Sequence, residues 1–314
     1  MGDQRLNGNF ADRLISCQMG KLSRNALIGY PAGIITGITY GLNPLFAVPL
    51  MKGGTPVESI LFFRYIIAVA LLGAFLVLRK ESFNISWKQA GILITLGLLY
   101  TSSSLFLFEA YKYMASGLAT TLVFLYPVLV AIIMVFLRVV PSWPVWLSIA
   151  ATFAGVFIMT QGNAGQETSP TGVSLSLGSA LAYALFIVII NRSKTIRDVS
   201  NSLLTFCTLS VGAVIFLFKI MSGDAGITAG LDSAGAWLNL TGLALLPTIV
   251  STATLAVATR NIGATKASVL GVFEPITAIL IGTAVFSEPL TSNIMTGILM
   301  SMAAVTFMIA YTKR

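Results

Sequence analysis

Ten apolar runs divide the chain, each long enough to cross a bilayer. They fall near residues 26–48, 58–78, 89–109, 114–136, 144–160, 171–190, 202–221, 236–257, 265–286 and 293–312, bounded by charges, prolines or glycines. A spanning helix needs roughly 20 mostly apolar residues. The pattern predicts an all-α integral membrane protein with ten transmembrane helices.

The positive charges are sorted by side. With the N-terminus in the cytoplasm and the spans alternating, the inner segments hold Arg5, Arg13, Lys21, Arg24, Arg79, Lys80, Lys88, Arg138, Arg192, Lys194, Arg197, Arg260, Lys266, Lys313 and Arg314. The outer segments hold only Lys52, Lys112 and Lys219, and Arg64 falls inside a span. Cytoplasmic loops are enriched in Lys and Arg. The asymmetry predicts an even number of spans in a cell (plasma or inner) membrane, with both termini cytoplasmic. Residues 1–25 read as a cytoplasmic tail without a signal-peptide pattern. Met19 offers a second start (MGKLSRN), so residues 1–18 receive no functional role.

Composition agrees with this picture. The chain is 56% hydrophobic and 10% charged, against about 45–50% and about 25% in soluble domains. The 28 glycines fit close helix packing in lipid. The net charge of +8 comes from single, scattered residues. It forms no basic stripe, so no nucleic-acid partner is expected. Histidine is absent, which excludes His-based metal sites, triads and proton relays. Cys17 and Cys207 show no disulfide or zinc spacing. No metal and no cofactor are expected.

The chain repeats itself. Ala110, Ala119, Leu122, Pro127, Ile133 and Pro141 recur 148 residues later as Ala258, Ala267, Leu270, Pro275, Ile281 and Pro289. Gly29, Tyr40, Ser59, Leu61 and Phe63 recur 143 residues later as Gly172, Tyr183, Ser202, Leu204 and Phe206. The loop 222–235 absorbs the difference. The repeats read as 26–161 and 170–312. Five spans per repeat is an odd number, so the second copy enters the membrane inverted. Inverted repeats mark many secondary transporters, with the substrate site near the midplane between them. One chain supplies both halves, so a monomer suffices and a dimer is not required.

These segments carry a family resemblance over essentially residues 25–312. FFRY (62–65), EAYKYMASGLATTLVFLYPV (109–128) and ATRNIGATKASVLGVFEPITAILIGTAVFSEPL (258–290) resemble signatures of the drug/metabolite transporter superfamily, EamA type. The resemblance implies ten helices in two inverted five-helix repeats and export or exchange of a small metabolite or amino acid. Glu288 has no counterpart in the first copy, where Val139 and Val140 stand.

Glu274 is the leading candidate for chemistry. It lies eight residues after Lys266, roughly 12 Å into the slab at 1.5 Å per residue. A carboxylate there costs about 2.5–3.5 kcal/mol on insertion scales and normally faces a cavity or a partner. It is expected either to exchange a proton or bind a cationic group, or else to serve as a structural tie. Pro127 and Pro275 follow Tyr126 and Glu274 at equivalent positions. Each is expected to kink its helix and free the carbonyl four residues earlier, on Val123 and Gly271. Pro247 is a lone kink candidate. Arg64 lies six residues into its span, and an ion pair with Glu109 would make an outer gate. The alternative has Arg64 snorkelling and Glu109 pairing with Lys112. Tyr40, Asn43 and Tyr183 are too central for the headgroup belt and rank as site residues. Tyr100 and the run Thr101–Ser104 are weaker candidates.

The function expected is secondary active transport of a small metabolite through a midplane cavity, in contact with the lipid bilayer. No Walker-type phosphate loop is present, leaving protons or exchange as the drive. The alternatives are a membrane-embedded enzyme and a passive channel or scaffold. Inversion has a direct consequence. Single cysteines at Asp198 and Glu167, in a chain with Cys17 and Cys207 replaced by Ser, should react with a membrane-impermeant maleimide from opposite faces. Reaction of both from one face would refute the inversion.

Overall fold

The structure, a computed structural model, describes residues 24–114, 116–161, 169–222, 228, 230–286 and 291–311. Cys17, Glu167, Glu288, Pro289 and the tail before Arg24 lie outside the described residues. Every regular element among the described residues is helical. In chain order these are α1 (Arg24–Tyr40), α2 (Asn43–Lys52), α3 (Val57–Leu78), α4 (Trp87–Ala110), α5 (Ser116–Val123), α6 (Tyr126–Phe136) and α7 (Trp143–Gln161). The second half holds α8 (Pro170–Arg192), α9 (Asn201–Met221), α10 (Ala234–Leu243), a π segment (Ala244–Val250), α11 (Ser251–Ile262), α12 (Ala264–Leu270), α13 (Phe273–Phe286) and α14 (Ser292–Tyr311). Among the described residues, 7 helical segments are long and apolar enough to cross a membrane: Arg24–Lys52, Val57–Leu78, Trp87–Ala110, Pro170–Arg192, Asn201–Met221, Ala234–Ile262 and Ala264–Val285.

The packing maps onto itself when the halves are exchanged. Helix α1 packs on α11, and its repeat partner α8 packs on α4. Helices α3 and α9, equivalent to each other, form one pair, and α7 and α14 form another. Individual bonds repeat as well. The Thr36 hydroxyl reaches the Ser251 carbonyl at 3.5 Å. Its counterpart 143 residues on, Ser179, donates to the Ser103 carbonyl at 2.8 Å. Ser251 itself stands 148 residues after Ser103.

Close approach in the first half depends on glycine. Gly29, Gly33, Gly37 and Gly41 recur every fourth residue, the first three on one face of α1 and the fourth just past its end. A methyl at Gly33 would strike Leu270, one at Gly37 would strike Phe273, and one at Gly41 would strike the Glu274 backbone. This stripe seats α1 directly on the second half at the α12–α13 junction. The matching positions of α8 are Gly172, Ser176, Ala180 and Ala184, again all small. Small residues let helix backbones approach where lipid supplies no hydrophobic drive for association.

Four helices are interrupted partway. Breaks fall at Gly41–Leu42, Phe124–Leu125 and Gly271–Val272, and the π segment interrupts the run from α10 to α11. A proline follows closely or lies within each: Pro44, Pro127, Pro275 and Pro247. Proline lacks a donor and clashes with the carbonyl four residues back. At three of the four, the residue next to the proline takes over that carbonyl. The Asn43 side-chain amide donates to the Tyr40 carbonyl at 2.9 Å. The Thr248 hydroxyl donates to the Leu243 carbonyl at 2.7 Å. The Glu274 amide donates to the Gly271 carbonyl at 2.8 Å. The expectation of a freed Gly271 carbonyl is thereby corrected, because its own chain occupies it. Pro247 lies inside the π segment.

Candidate functional site

Two repeat-related pairs meet at the centre. Tyr40 and Tyr183, equivalent residues of the two halves, stack with ring centroids 5.8 Å apart and planes 15° apart. Two equivalent rings that stack on each other mark where the axis relating the halves passes. Tyr126 meets Tyr183 edge-on at 4.8 Å. Its repeat partner is Glu274, 148 residues later. A methyl on Gly271 would collide with the Tyr126 hydroxyl, so that hydroxyl lies against the break in the second half. The Glu274 carboxyl lies within electrostatic range of the Tyr40, Tyr111, Tyr126 and Tyr183 phenols.

Local structure explains why a carboxyl is tolerated there. Glu274 sits in the first turn of α13. The N-terminal end of a helix carries partial positive charge and favours an anionic side chain. The ion pairs among the described residues are Lys112–Glu109 and Lys219–Glu58, so Glu274 has no cationic partner there. Tyr126 holds the same position at the start of α6 in the first half. The site therefore places a phenol on one side and a carboxyl on the other.

An aromatic column extends from this centre. Tyr183 stacks near Phe186 at 6.2 Å, Phe186 meets Tyr100 at 5.3 Å, and Tyr100 meets Tyr65 at 6.0 Å. Two of its phenols are bonded: Thr252 donates to the Tyr100 oxygen at 2.9 Å, and Tyr65 donates to Ser104 at 2.9 Å. Tyr40, Asn43, Arg64, Tyr126, Tyr183 and Glu274 are all 4% exposed or less. The centre is shut to water in this conformation. Ties close both ends of α9. At its start, Arg260 donates to the Val199 and Ile196 carbonyls at 2.7 and 3.0 Å. At its end, Lys219 pairs with Glu58 at 3.0 Å.

Arg64 and Glu109 are not brought together. Glu109 holds Lys112 at 2.9 Å on a partly exposed surface, a contact worth about 0.2–1 kcal/mol. Arg64 does not snorkel either, since it is fully buried. Its Nε donates to the Thr248 hydroxyl and its Nη2 to the Pro247 carbonyl at 3.3 Å. It therefore clasps α3 to the π segment. The sequence reading missed this clasp, Thr248 and the glycine stripe. Glycines at every fourth residue of α1 were a visible signal for the stripe. Nothing local to Arg64 pointed to a partner 184 residues away.

Comparison with known proteins decides the family. The model of the EamA-like transporter family matches residues 27–161 and again 170–310. The chain belongs to the EamA-like transporter family. Two relatives in this range are similar to it. One is an uncharacterised transporter, sll1319, of Synechocystis sp., 28% identical over 71% of this chain and 65% of its own length. The other is an uncharacterised transporter, YvbV, of Bacillus subtilis, 25% identical over 90% of each. This EamA-like chain therefore matches somewhat less than two thirds of the length of the first relative. A solved structure titled "Crystal structure of protein" shares the fold, with a TM-score of 0.73 at 14% identity over 89% of this chain and 97% of that one. The two matched units of this EamA-like chain divide between Gln161 and Pro170, so the stacked tyrosines come one from each.

The Thr248 clasp can be tested by stability. Thr248→Val removes the acceptor of the Arg64 Nε and the donor to the Leu243 carbonyl. Hydrogen bonds to charged groups are worth about 1.5–3 kcal/mol. Thermal unfolding of the purified variant should shift down by several degrees, while Thr248→Ser stays near wild type. Equal melting of all three proteins would show that the clasp carries no stability.

Proposed function

We propose that this chain is a secondary transporter whose ten helices form two inverted halves and carry a small metabolite past their shared centre. The observation that carries this reading is the meeting of two repeat-equivalent tyrosines beside a carboxyl that has no cationic partner among the described residues. Intramembrane acids in such positions are functional candidates by default. Interrupted helices at the midplane are what transport sites use to present polar groups to cargo, and this chain interrupts four.

The mechanism follows from the near-symmetry. Two halves with equivalent contacts can exchange conformations. A centre shut at both ends then opens first to one side and next to the other. Tyr40, Tyr126 and Tyr183 give the cargo apolar faces with polar edges. Glu274 binds a proton or a cationic group on the cargo. The end ties are a part-exposed ion pair at Glu58–Lys219 and hydrogen bonds from Arg260 to main-chain carbonyls, worth about 1.5–3 kcal/mol each, and they break in turn. The interrupted helices supply the hinges.

A metabolite survey of cells lacking and overproducing the protein identifies the cargo, and flux is then measured in proteoliposomes. Glu274→Gln should lower that flux roughly tenfold or more, the scale of one charge-assisted interaction, and flatten its dependence on pH. The variant should elute and melt like wild type. Unchanged flux with unchanged pH dependence would remove Glu274 from the mechanism.

A further inference from the structure

The clasp at Arg64 uses less than the guanidinium offers. Arg64 is 0% exposed. Its Nε and Nη2 donate to Thr248 and Pro247, and both acceptors are neutral. Its Nη1 has no acceptor among the described residues, although the atom is buried. The rings of Tyr65 and Phe108 lie 5.8 and 5.7 Å from the guanidinium carbon. No carboxylate among the described residues pairs with this charge, because their ion pairs lie elsewhere.

A guanidinium stays protonated under all physiological conditions. A buried charge without a counter-charge carries a heavy desolvation penalty. A neutral amide would tie α3 to Thr248 without that penalty. The repeat partner of Arg64 is Cys207, which does without any charge at the equivalent place. Arg64 is therefore expensive for a tie, and its unused Nη1 is a donor built for an acceptor that the described residues do not contain.

Its position connects it to the centre. The Tyr40 and Tyr111 phenols each lie within electrostatic range of both Arg64 and Glu274. The first half contributes the cation and the second the carboxyl, and they do not pair with each other. We propose that Arg64 is the receptor for an anionic group, a carboxylate or a phosphate, on the molecule carried. This rests on the transport reading and narrows it. The cargo bears an oxyanion that takes the Nη1 edge of the guanidinium, with its body against the tyrosine and phenylalanine faces. Because Arg64 also grips the π segment, an anion drawn to it pulls on the Pro247 interruption. Binding is thereby coupled to a segment already out of α-helical register.

The test uses three probes on the purified full-length chain: phenylacetate, its neutral analogue phenylacetamide, and phenyl phosphate. Thermal stabilisation is titrated for wild type, Arg64→Lys and Arg64→Gln, with flux of the same probes measured in proteoliposomes. Phenylacetate or phenyl phosphate should stabilise wild type, and whichever does so distinguishes carboxylate from phosphate. Phenylacetamide should not stabilise it. Arg64→Lys keeps the charge but loses the planar fork, and should weaken binding about tenfold. Arg64→Gln should abolish it. If Arg64→Gln does not fold, Arg64→Lys against wild type still reads the fork. The proposal fails if neither acid stabilises wild type, if the amide matches the acid, or if affinity is unchanged in Arg64→Lys. Flux of phenylacetamide without stabilisation by either acid would sink the anion site and leave transport standing. Stabilisation by an acid without flux of any probe would keep the site and count against transport.

Discussion

Hydrocarbon offers no hydrogen-bond partners, and that single constraint organises this molecule. A helix can be interrupted inside the membrane only where the protein itself answers the freed backbone groups. Three of the prolines show how this is done. Asn43 before Pro44, Glu274 before Pro275 and Thr248 after Pro247 each donate to the carbonyl that the proline displaces. At Pro44 and Pro247 the repair comes from a polar side chain, and at Pro275 it comes from the main-chain amide of Glu274. Asn43 keeps an unpartnered Oδ1, Glu274 its carboxyl, and Thr248 an oxygen that accepts from Arg64. The residues beside these breaks thus set polar groups in the middle of an apolar bundle.

The duplicated architecture then decides where those groups meet. The glycine stripe of α1 lets it rest against the α12–α13 break, so Glu274 arrives beside Tyr40. Exchange of the halves takes most major contacts onto others of the same kind. The Tyr40–Tyr183 stack marks the point of exchange. The symmetry fails where charge appears. Glu274 answers to Tyr126, and Arg64 answers to Cys207. A symmetric pair of carboxyls or guanidiniums at the axis would repel across a medium that screens poorly. Placing one charge of each sign in opposite halves avoids that conflict.

Much of this was legible in the sequence, for a physical reason. Span positions depend on apolar length, which is a local property. The run read at 171–190 is the helix Pro170–Arg192, and that at 202–221 is Asn201–Met221. The repeat was legible from prolines and tyrosines at constant offsets. Tyr40, Tyr126, Tyr183 and Glu274 could be singled out because polar groups in apolar runs stand out. Their meeting could not be read, because each contact spans the two halves. Arg64 shows the limit most clearly. Its depth was readable, but Glu109, an acid read at a comparable outer depth, proved to be tied to Lys112. The π segment escaped because Pro247 announces a break without saying whether the helix bends or widens.

The central claim is that the two halves enclose one site that opens to each side in turn. Asn43, 2% exposed and next to the break in the first half, reports on it. In a chain with Cys17 and Cys207 replaced by Ser, Asn43→Cys is challenged with an impermeant thiol reagent from either face of sealed vesicles of known orientation. Slow labelling from both faces, suppressed when cargo saturates the protein, is the result predicted. Labelling confined to a single face under every condition, in a protein that still moves cargo, would contradict it.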